Sequence, residues 1–169
     1  YPTQKFPIFG IFVKEQIESL EKMGVSCDVF FINSRENGKK TYLIQLTKLF
    51  FFLIKNKFDL VHCHHSFSGI IFMLTGHAFF LKSILSYQNP PRFEGGKSLF
   101  NFLYLFFNKI ILKCKSEEIE KPKTIYLPNG VDTDFFNIMD KQKCREILNL
   151  DLNKKYILFT DSYKKRTQK

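Results

Sequence analysis

Apolar residues recur along the chain with helical spacing in some segments and as short continuous runs in others. Phe9, Val13, Ile17 and Leu20 share one face of a predicted helix. Short runs rich in Val, Ile and Phe alternate with such helices and predict buried strands. The predicted helices cover 8–23, 41–57, 66–76, 98–107, 116–121 and 140–150, and the predicted strands cover 25–32, 59–64, 82–88, 109–114, 124–127 and 155–160. This alternation favours the α/β class, with a Rossmann-like, doubly wound, mostly parallel sheet.

A sharp turn is predicted directly after the strand at 124–127. Pro128 has no N–H and ends a ladder, and Asn129-Gly130 is a pair that readily adopts positive φ. The side chain of Asp132 can accept hydrogen bonds from nearby backbone N–H groups and start a new segment. These residues alone fit an ordinary strand and turn as well as they fit the end of a domain.

The chain is basic but poor in arginine. Its formal net charge is +10 over 169 residues, and only four of its 26 basic residues are arginines. This balance suits anionic partners such as acidic lipid head groups, phosphorylated substrates or nucleic acid, although base readout favours the arginine fork. The four cysteines form no CxxC pair, which argues against a zinc site or a disulfide framework and indicates a reducing compartment.

No stretch resembles a signal peptide or a membrane span, because polar residues interrupt each long apolar run. Lysines do accompany apolar residues in and around the predicted helix at 41–57. They are Lys39, Lys40, Lys48, Lys55 and Lys57, beside Leu46, Phe50 and Leu53. This pattern is typical of a solvated face and also of a helix that docks on an anionic membrane. We therefore expect a cytoplasmic protein that can associate peripherally with the inner face of the membrane.

Ligands of parallel α/β sheets bind at the carboxyl ends of the strands, and a run of histidines lies at one such end. Strand alternation places His62 and His64 on one face, with His64 at the end of the strand. We interpret His62 as buried and hydrogen-bonded. The helix start that follows offers free N–H groups to a ligand. The candidate ligand-binding residues here are His64, His65, Ser66 and Gly69. No third ligand recurs at zinc spacing, so no metal is expected.

Two loops add further candidates. Gly10 precedes the first predicted helix and would let a ligand approach the backbone closely, although the loop has no GxGxxG pattern. An ordinary surface loop leading into a helix explains the same residues. The loop at 88–96 contains Arg92, Glu94 and two glycines, and it is a candidate substrate loop.

Taken together, these segments resemble the N-terminal half of a family-four glycosyltransferase with the GT-B fold. The resemblance lies in three stretches that keep their order along the chain: 1–16, 59–69 and 127–135. The third, Leu-Pro-Asn-Gly-Val-Asp-Thr-Asp-Phe, is similar to the Pro-Asn-Gly-Val-Asp segment that ends the first domain in that family.

The resemblance implies two Rossmann-like domains that face each other across a cleft, with the acceptor bound by the first and most of the nucleotide-sugar by the second. Residues 1–136 would then be an N-terminal acceptor-side domain without its first strand, and 137–169 a connector helix and the first strand of a truncated donor domain. His64 is implied near the transferred sugar, as a catalytic residue of the cleft. The resemblance also implies substrate-binding roles for Gly10, His65, Ser66, Gly69, Arg92 and Glu94. It places the connection between the two domains at Asn129, Gly130 and Asp132.

The implied activity is retaining transfer of a sugar from a nucleotide-sugar to a glycan or lipid-linked acceptor, with no further cofactor. We expect the isolated chain to be inactive, because the basic residues and paired glutamates that serve the donor in that family are not in it. A second hypothesis is a non-enzymatic basic α/β module that binds an anionic membrane or nucleic acid. An oxidoreductase of the Rossmann type is disfavoured, because no glycine fingerprint follows a strand.

Overall fold

The computed structural model describes residues 1–38 and 40–158. The helices are α1 Ile11–Lys22, α2 Ser34–Asn37, α3 Thr41–Lys55, α4 Ser66–Leu74, α5 Gly96–Phe106 and α6 Lys141–Ile147. The strands are β1 Val61–His64, β2 Ser83–Tyr87, β3 Lys109–Leu112 and β4 Thr124–Tyr126. Short 3-10 turns occupy His77–Phe79, Pro91–Phe93 and Glu117–Glu120. None of the helices in this part of the chain is long and apolar enough to cross a bilayer.

The four strands form one sheet in the order β1-β2-β3-β4, and every neighbouring pair is parallel. The prediction of an α/β fold with a Rossmann-like, mostly parallel sheet is confirmed. Each parallel pair is joined through a helix or a 3-10 turn, as such connections require. The order runs in one direction only, so these four strands contain no reversal of the kind that defines a doubly wound sheet.

Helices α4 and α5 cover one face of the sheet. Residues that alternate along the strands, such as Leu85 and Ile110, meet Phe72 of α4 and Phe100 of α5 in a closed core. Helix α3 packs against α4 and adds Leu49 and Leu53 to that core. The opposite face carries the side chains of the alternate positions, among them the two strand histidines, and it is more polar.

Two predicted strands differ from the structure. Residues 25–32 form no strand, although Phe30 and Ile32 pack against the core. The apolar pattern of this segment correctly predicts that some of its side chains are buried. A β-strand also needs a neighbouring strand for its backbone hydrogen bonds, and none of the described strands pairs with these residues. In the predicted strand at 155–160, residues 155–158 form no strand and residues 159 and 160 lie outside the described residues.

The chain divides between Gly130 and Val131 into two compact units. The first contains the sheet. In the second, the described part forms one short helix, α6, whose first turn is capped by Asp140 through a hydrogen bond to the backbone N–H of Lys143 at 2.8 Å. The predicted helix at 140–150 is thus present over a shorter range.

Candidate functional site at the carboxyl ends of strands β1 and β2

Two histidines lie side by side on the polar face of the sheet. His62 and His64 are two positions apart on β1, so alternation places both rings on the same face. The ring centroids are 4.2 Å apart and the planes differ by 29°. Nε2 of His62 lies 2.7 Å from Oγ of Ser86 on the neighbouring strand. The predicted common face of His62 and His64 and the predicted hydrogen bond of His62 are both confirmed, whereas His62 is partly rather than fully buried.

Burial keeps both histidines uncharged. It lowers the pKa of His64 to about 3, and the positive charges of His62 when that ring is protonated and of Lys113 lower it further. Burial and Lys113 together lower the pKa of His62 to about 4. Because both values lie far below 7, neither ring is suited to transfer protons at neutral pH. Each can instead act as a fixed hydrogen-bond donor and acceptor.

The carboxyl ends of β1 and β2 supply the neighbours of His64. The side-chain amide Nε2 of Gln88, directly after β2, lies 3.5 Å from Nδ1 of His64. The rings of Phe12 on α1 and His64 meet edge to face, with 6.4 Å between their centroids. An amide N–H can only donate, so this contact favours a His64 tautomer that carries its proton on Nε2.

His65 shapes the start of helix α4. Its backbone is left-handed, with φ of 78°, which is uncommon for a residue with a side chain. Nδ1 of its ring accepts a hydrogen bond from the backbone N–H of Phe67 at 3.3 Å, and the two rings stack. His65 therefore caps the helix that follows it. One of the N–H groups predicted to be free for a ligand is taken by this cap.

The carboxylate of Glu94 occupies the same helix start. Glu94 is only 1% exposed. Oε2 accepts a hydrogen bond from the backbone N–H of Ser66 at 3.2 Å, and Oε1 accepts from the backbone N–H groups of Gln88 at 2.8 Å and Asn89 at 2.7 Å. Nε2 of His65 lies 3.8 Å from Oε2. Glu94 thus joins the end of β2 to the start of α4, and its oxygens face backbone groups of the protein itself.

Ser66 and Gly69 are placed for packing. Ser66 is fully buried, and its Oγ has no hydrogen-bond partner among the described residues. A Cβ at Gly69 would lie 3.0 Å from Cδ1 of Leu85 and 3.4 Å from Cζ of Phe107. The absence of a side chain at Gly69 therefore lets α4 approach β2 closely.

Gly10 and Arg92 are positioned by other contacts. Gly10 has a left-handed φ of 70°, and a Cβ there would lie 2.6 Å from the backbone nitrogen of Tyr1, so the close approach at Gly10 is made by the chain itself. Arg92 is exposed, and its guanidinium lies 4.7 Å from the centre of the Phe93 ring. Within the described part of the chain, no hydrogen bond links either residue to the histidine pair.

The predicted turn at Asn129-Gly130 is wrong. Gly130 does not have positive φ, and the chain first turns at 133–135. Oδ1 of Asp132 accepts hydrogen bonds from the backbone N–H groups of Asp134 and Phe135, both at 3.0 Å. The aspartate, with its short acceptor side chain, therefore decides where this segment turns. The unit boundary after Gly130 falls inside the predicted connection, Asn129, Gly130 and Asp132.

Three neighbours of the histidine pair were not among the predicted site residues: Ser86, Lys113 and Phe12. Ser86 could have been found, because it is a polar residue inside a predicted strand and lies opposite His64 in the parallel register. Lys113 directly follows β3, at the same edge of the sheet. The approach of Phe12 depends on the packing of α1, which leaves no local signal.

Within 1–38 and 40–158, no group of three or more His, Cys, Asp or Glu residues lies close enough together to hold a metal ion. A scan against protein-family models finds no match for the chain, and a comparison with curated proteins finds no significant relative.

Proposed function

We propose that the sheet-containing unit is the acceptor-side domain of a retaining glycosyltransferase that uses a nucleotide-sugar donor. The observation that carries this proposal is the uncharged His64, which lies beside the Phe12 ring and the Gln88 amide at the carboxyl end of β1. Sugars are bound by neutral hydrogen-bonding side chains next to an aromatic ring, and this is the chemistry that the site offers. The resemblance of 1–16, 59–69 and 127–135 to family-four enzymes supports the same reading.

His64 would donate a hydrogen bond from Nε2 to a sugar hydroxyl or to the oxygen at the reacting carbon. Such a donor is set in place before the substrate arrives, because the stacked His62 is itself fixed by Ser86. Lys113 lies close enough to lower the pKa of both rings. It would supply the positive charge at this edge of the sheet for a phosphate oxygen of the donor.

Sugar binding tests the proposal more directly than transfer does, because it reports on the His64 site itself. Ligand-observed NMR with a panel of hexoses, glycolipid head groups and nucleotide-sugars should detect binding by at least one member. The variant H64A should weaken that binding by about tenfold or more, since it removes a hydrogen bond and leaves the partner oxygen unpaired.

The matched control is H77A, which removes a histidine from the 3-10 turn after α4. It should bind the same sugar as the unmodified chain does. If H64A loses folding stability together with sugar binding, the result would instead support the interpretation that His64 is a structural residue of the core. Binding of no panel member, or binding that H64A leaves unchanged, would contradict the proposed site.

The second hypothesis, a basic module that binds nucleic acid, is weakened by the placement of the arginines. Arg35 lies 4.5 Å from the ring centres of Phe6 and Phe9, and Arg92 lies over Phe93. Arg145 donates hydrogen bonds to the carbonyl oxygens of Leu152 and Lys154. All three arginines within the described residues are thus engaged by neighbouring groups of the protein, and the other basic side chains of that part of the chain are lysines. Filter binding at several salt concentrations would detect the nucleic-acid alternative by strong, salt-dependent retention.

A further inference from the structure

Helix α3 is apolar on two sides, and within the described residues the protein covers only one of them. The inward side places Leu49 and Leu53 in the core. The outward side presents Leu43, which is 75% exposed, and Ile54, which is 58% exposed. A surface helix of a globular protein is normally polar on its solvent side, so this second apolar side calls for a partner.

The exposed apolar residues of α3 lie along one line of the helix. Positions 43, 44, 47, 51 and 54 fall within a narrow arc when residues are placed at the helical repeat. Four of these are large apolar residues, and all four are exposed: Leu43, Ile44, Phe51 and Ile54. Over its 15 residues the helix is about 22 Å long. The outward strip therefore runs along most of α3.

A second group of exposed aromatic residues lies next to α3. The ring of Phe50 meets the ring of His77 edge-on, with 5.5 Å between centroids. His77 begins the 3-10 turn that contains Phe79 and is followed by Phe80, which is 87% exposed. We call the outward strip of α3, together with Phe50, the α3 surface.

The charges of α3 and of the residues that directly flank it have one sign. From Gly38 to Phe58 the sequence contains no acidic residue. Exposed lysines border the helix at both ends and along one edge, and they are Lys40, Lys48, Lys55 and Lys57. Lys82, beyond the exposed phenylalanines, is also exposed. A partner that covers the apolar strip would therefore meet several uncompensated positive charges.

We propose that the α3 surface docks on an anionic lipid bilayer, with α3 lying in the plane of the interface. The apolar strip would enter the boundary between head groups and acyl chains, and the lysines would reach the acidic head groups from its edge. Surface lysines at such an interface each strengthen binding to acidic lipid by about fivefold. This inference does not depend on the proposed sugar transfer. It adds that the site operates at a membrane surface.

Vesicle cosedimentation of the full 169-residue chain tests the proposal. Vesicles of phosphatidylcholine with phosphatidylglycerol should bind the chain, and vesicles of phosphatidylcholine alone should bind it far more weakly. The variant L43Q/I54Q should lower binding to the anionic vesicles by about tenfold or more, because it removes apolar burial. The variant K48A/K55A should lower it by about thirtyfold, and raised salt should lower it as well.

Two control variants match these changes elsewhere on the surface. I8Q/M23Q replaces two similarly exposed apolar residues, and K141A/K143A removes two exposed lysines of α6. The matched apolar control should leave vesicle binding unchanged, and K141A/K143A should lower it much less than K48A/K55A does. All four variants alter exposed positions, and circular dichroism with a thermal melt verifies that each is folded.

Three results would overturn the proposal. One is anionic vesicle binding that L43Q/I54Q leaves unchanged, and another is equal binding to both kinds of vesicle. The third is absence of vesicle binding together with self-association, or capture of a protein partner, that L43Q/I54Q abolishes. That last result would identify the α3 surface as a protein interface.

Discussion

Glu94 provides the sharpest test of how the candidate site is held together. Its carboxylate accepts hydrogen bonds from three backbone N–H groups, those of Ser66, Gln88 and Asn89, and the residue is almost completely buried. The change Glu94→Gln keeps the size and shape of the side chain. It removes the charge and turns one acceptor oxygen into an NH2 donor.

The expected cost follows from these three bonds. A hydrogen bond to a charged group contributes about 1.5 to 3 kcal/mol, and one between neutral groups about 1 kcal/mol. Gln can still accept from Gln88 and Asn89 as a neutral side chain, but its NH2 group would face the N–H of Ser66. One bond lost and two weakened give about 3 kcal/mol in the free energy of unfolding. For a chain of this size, that lowers the Tm by roughly 6 to 12 °C.

Urea unfolding and amide hydrogen exchange together measure this effect. The amides of Ser66, Gln88 and Asn89 should exchange faster in E94Q, relative to the core of the sheet, because their acceptor is changed. E117Q is the matched control, since Glu117 is exposed and its nearest basic partner is Lys97 at 3.8 Å. Unfolding of E94Q with the same free energy as the unmodified chain, or unchanged exchange at these amides, would refute the reasoning.

Two further predictions concern the histidine pair and the helix above it. The pKa values of His62 and His64 in the folded chain lie below that of an unfolded histidine, so the unfolded chain binds more protons between pH 6.5 and 4. The free energy of unfolding should therefore fall as the pH drops from about 6.5 towards 4, on the order of 2 kcal/mol per histidine. Urea unfolding across this pH range should show a shallower fall for H64A than for the unmodified chain. Gly69→Val should destabilise the chain by about 2 kcal/mol, measured by thermal unfolding, since its side chain would press on Leu85 and Phe107.

The sequence predicts the sheet well because its signals there are local. Short apolar runs such as 110–112 carry buried strand residues on both faces, and this pattern is typical of a parallel sheet covered by helices. The same signal misled at 25–32, where residues that pack on the core have no strand beside them. Hydrophobic pattern reports burial, whereas a strand also depends on a partner that may be far away in sequence.

The site shows the same division between local and distant causes. The common face of His62 and His64 follows from alternation alone, so it could be predicted. The role of Glu94 could not, because a glutamate in a glycine-containing loop looks like an exposed ligand residue. Only the 3-10 turn Pro91–Phe93 brings its carboxylate back against the ends of β2 and α4. That return of the chain is a tertiary event with no marker in the spacing of residues.

The position of Glu94 also restricts where a negatively charged ligand can bind. The start of a helix normally attracts phosphate, since its free N–H groups and dipole favour negative charge. At α4 these N–H groups bond to Glu94 and His65, and the carboxylate would repel a phosphate placed there. His64 and Gln88 remain as uncharged groups beside it, with Lys113 on the far side at the end of β3. This arrangement favours a neutral hydroxylated ligand next to His64 and an anionic group nearer to Lys113.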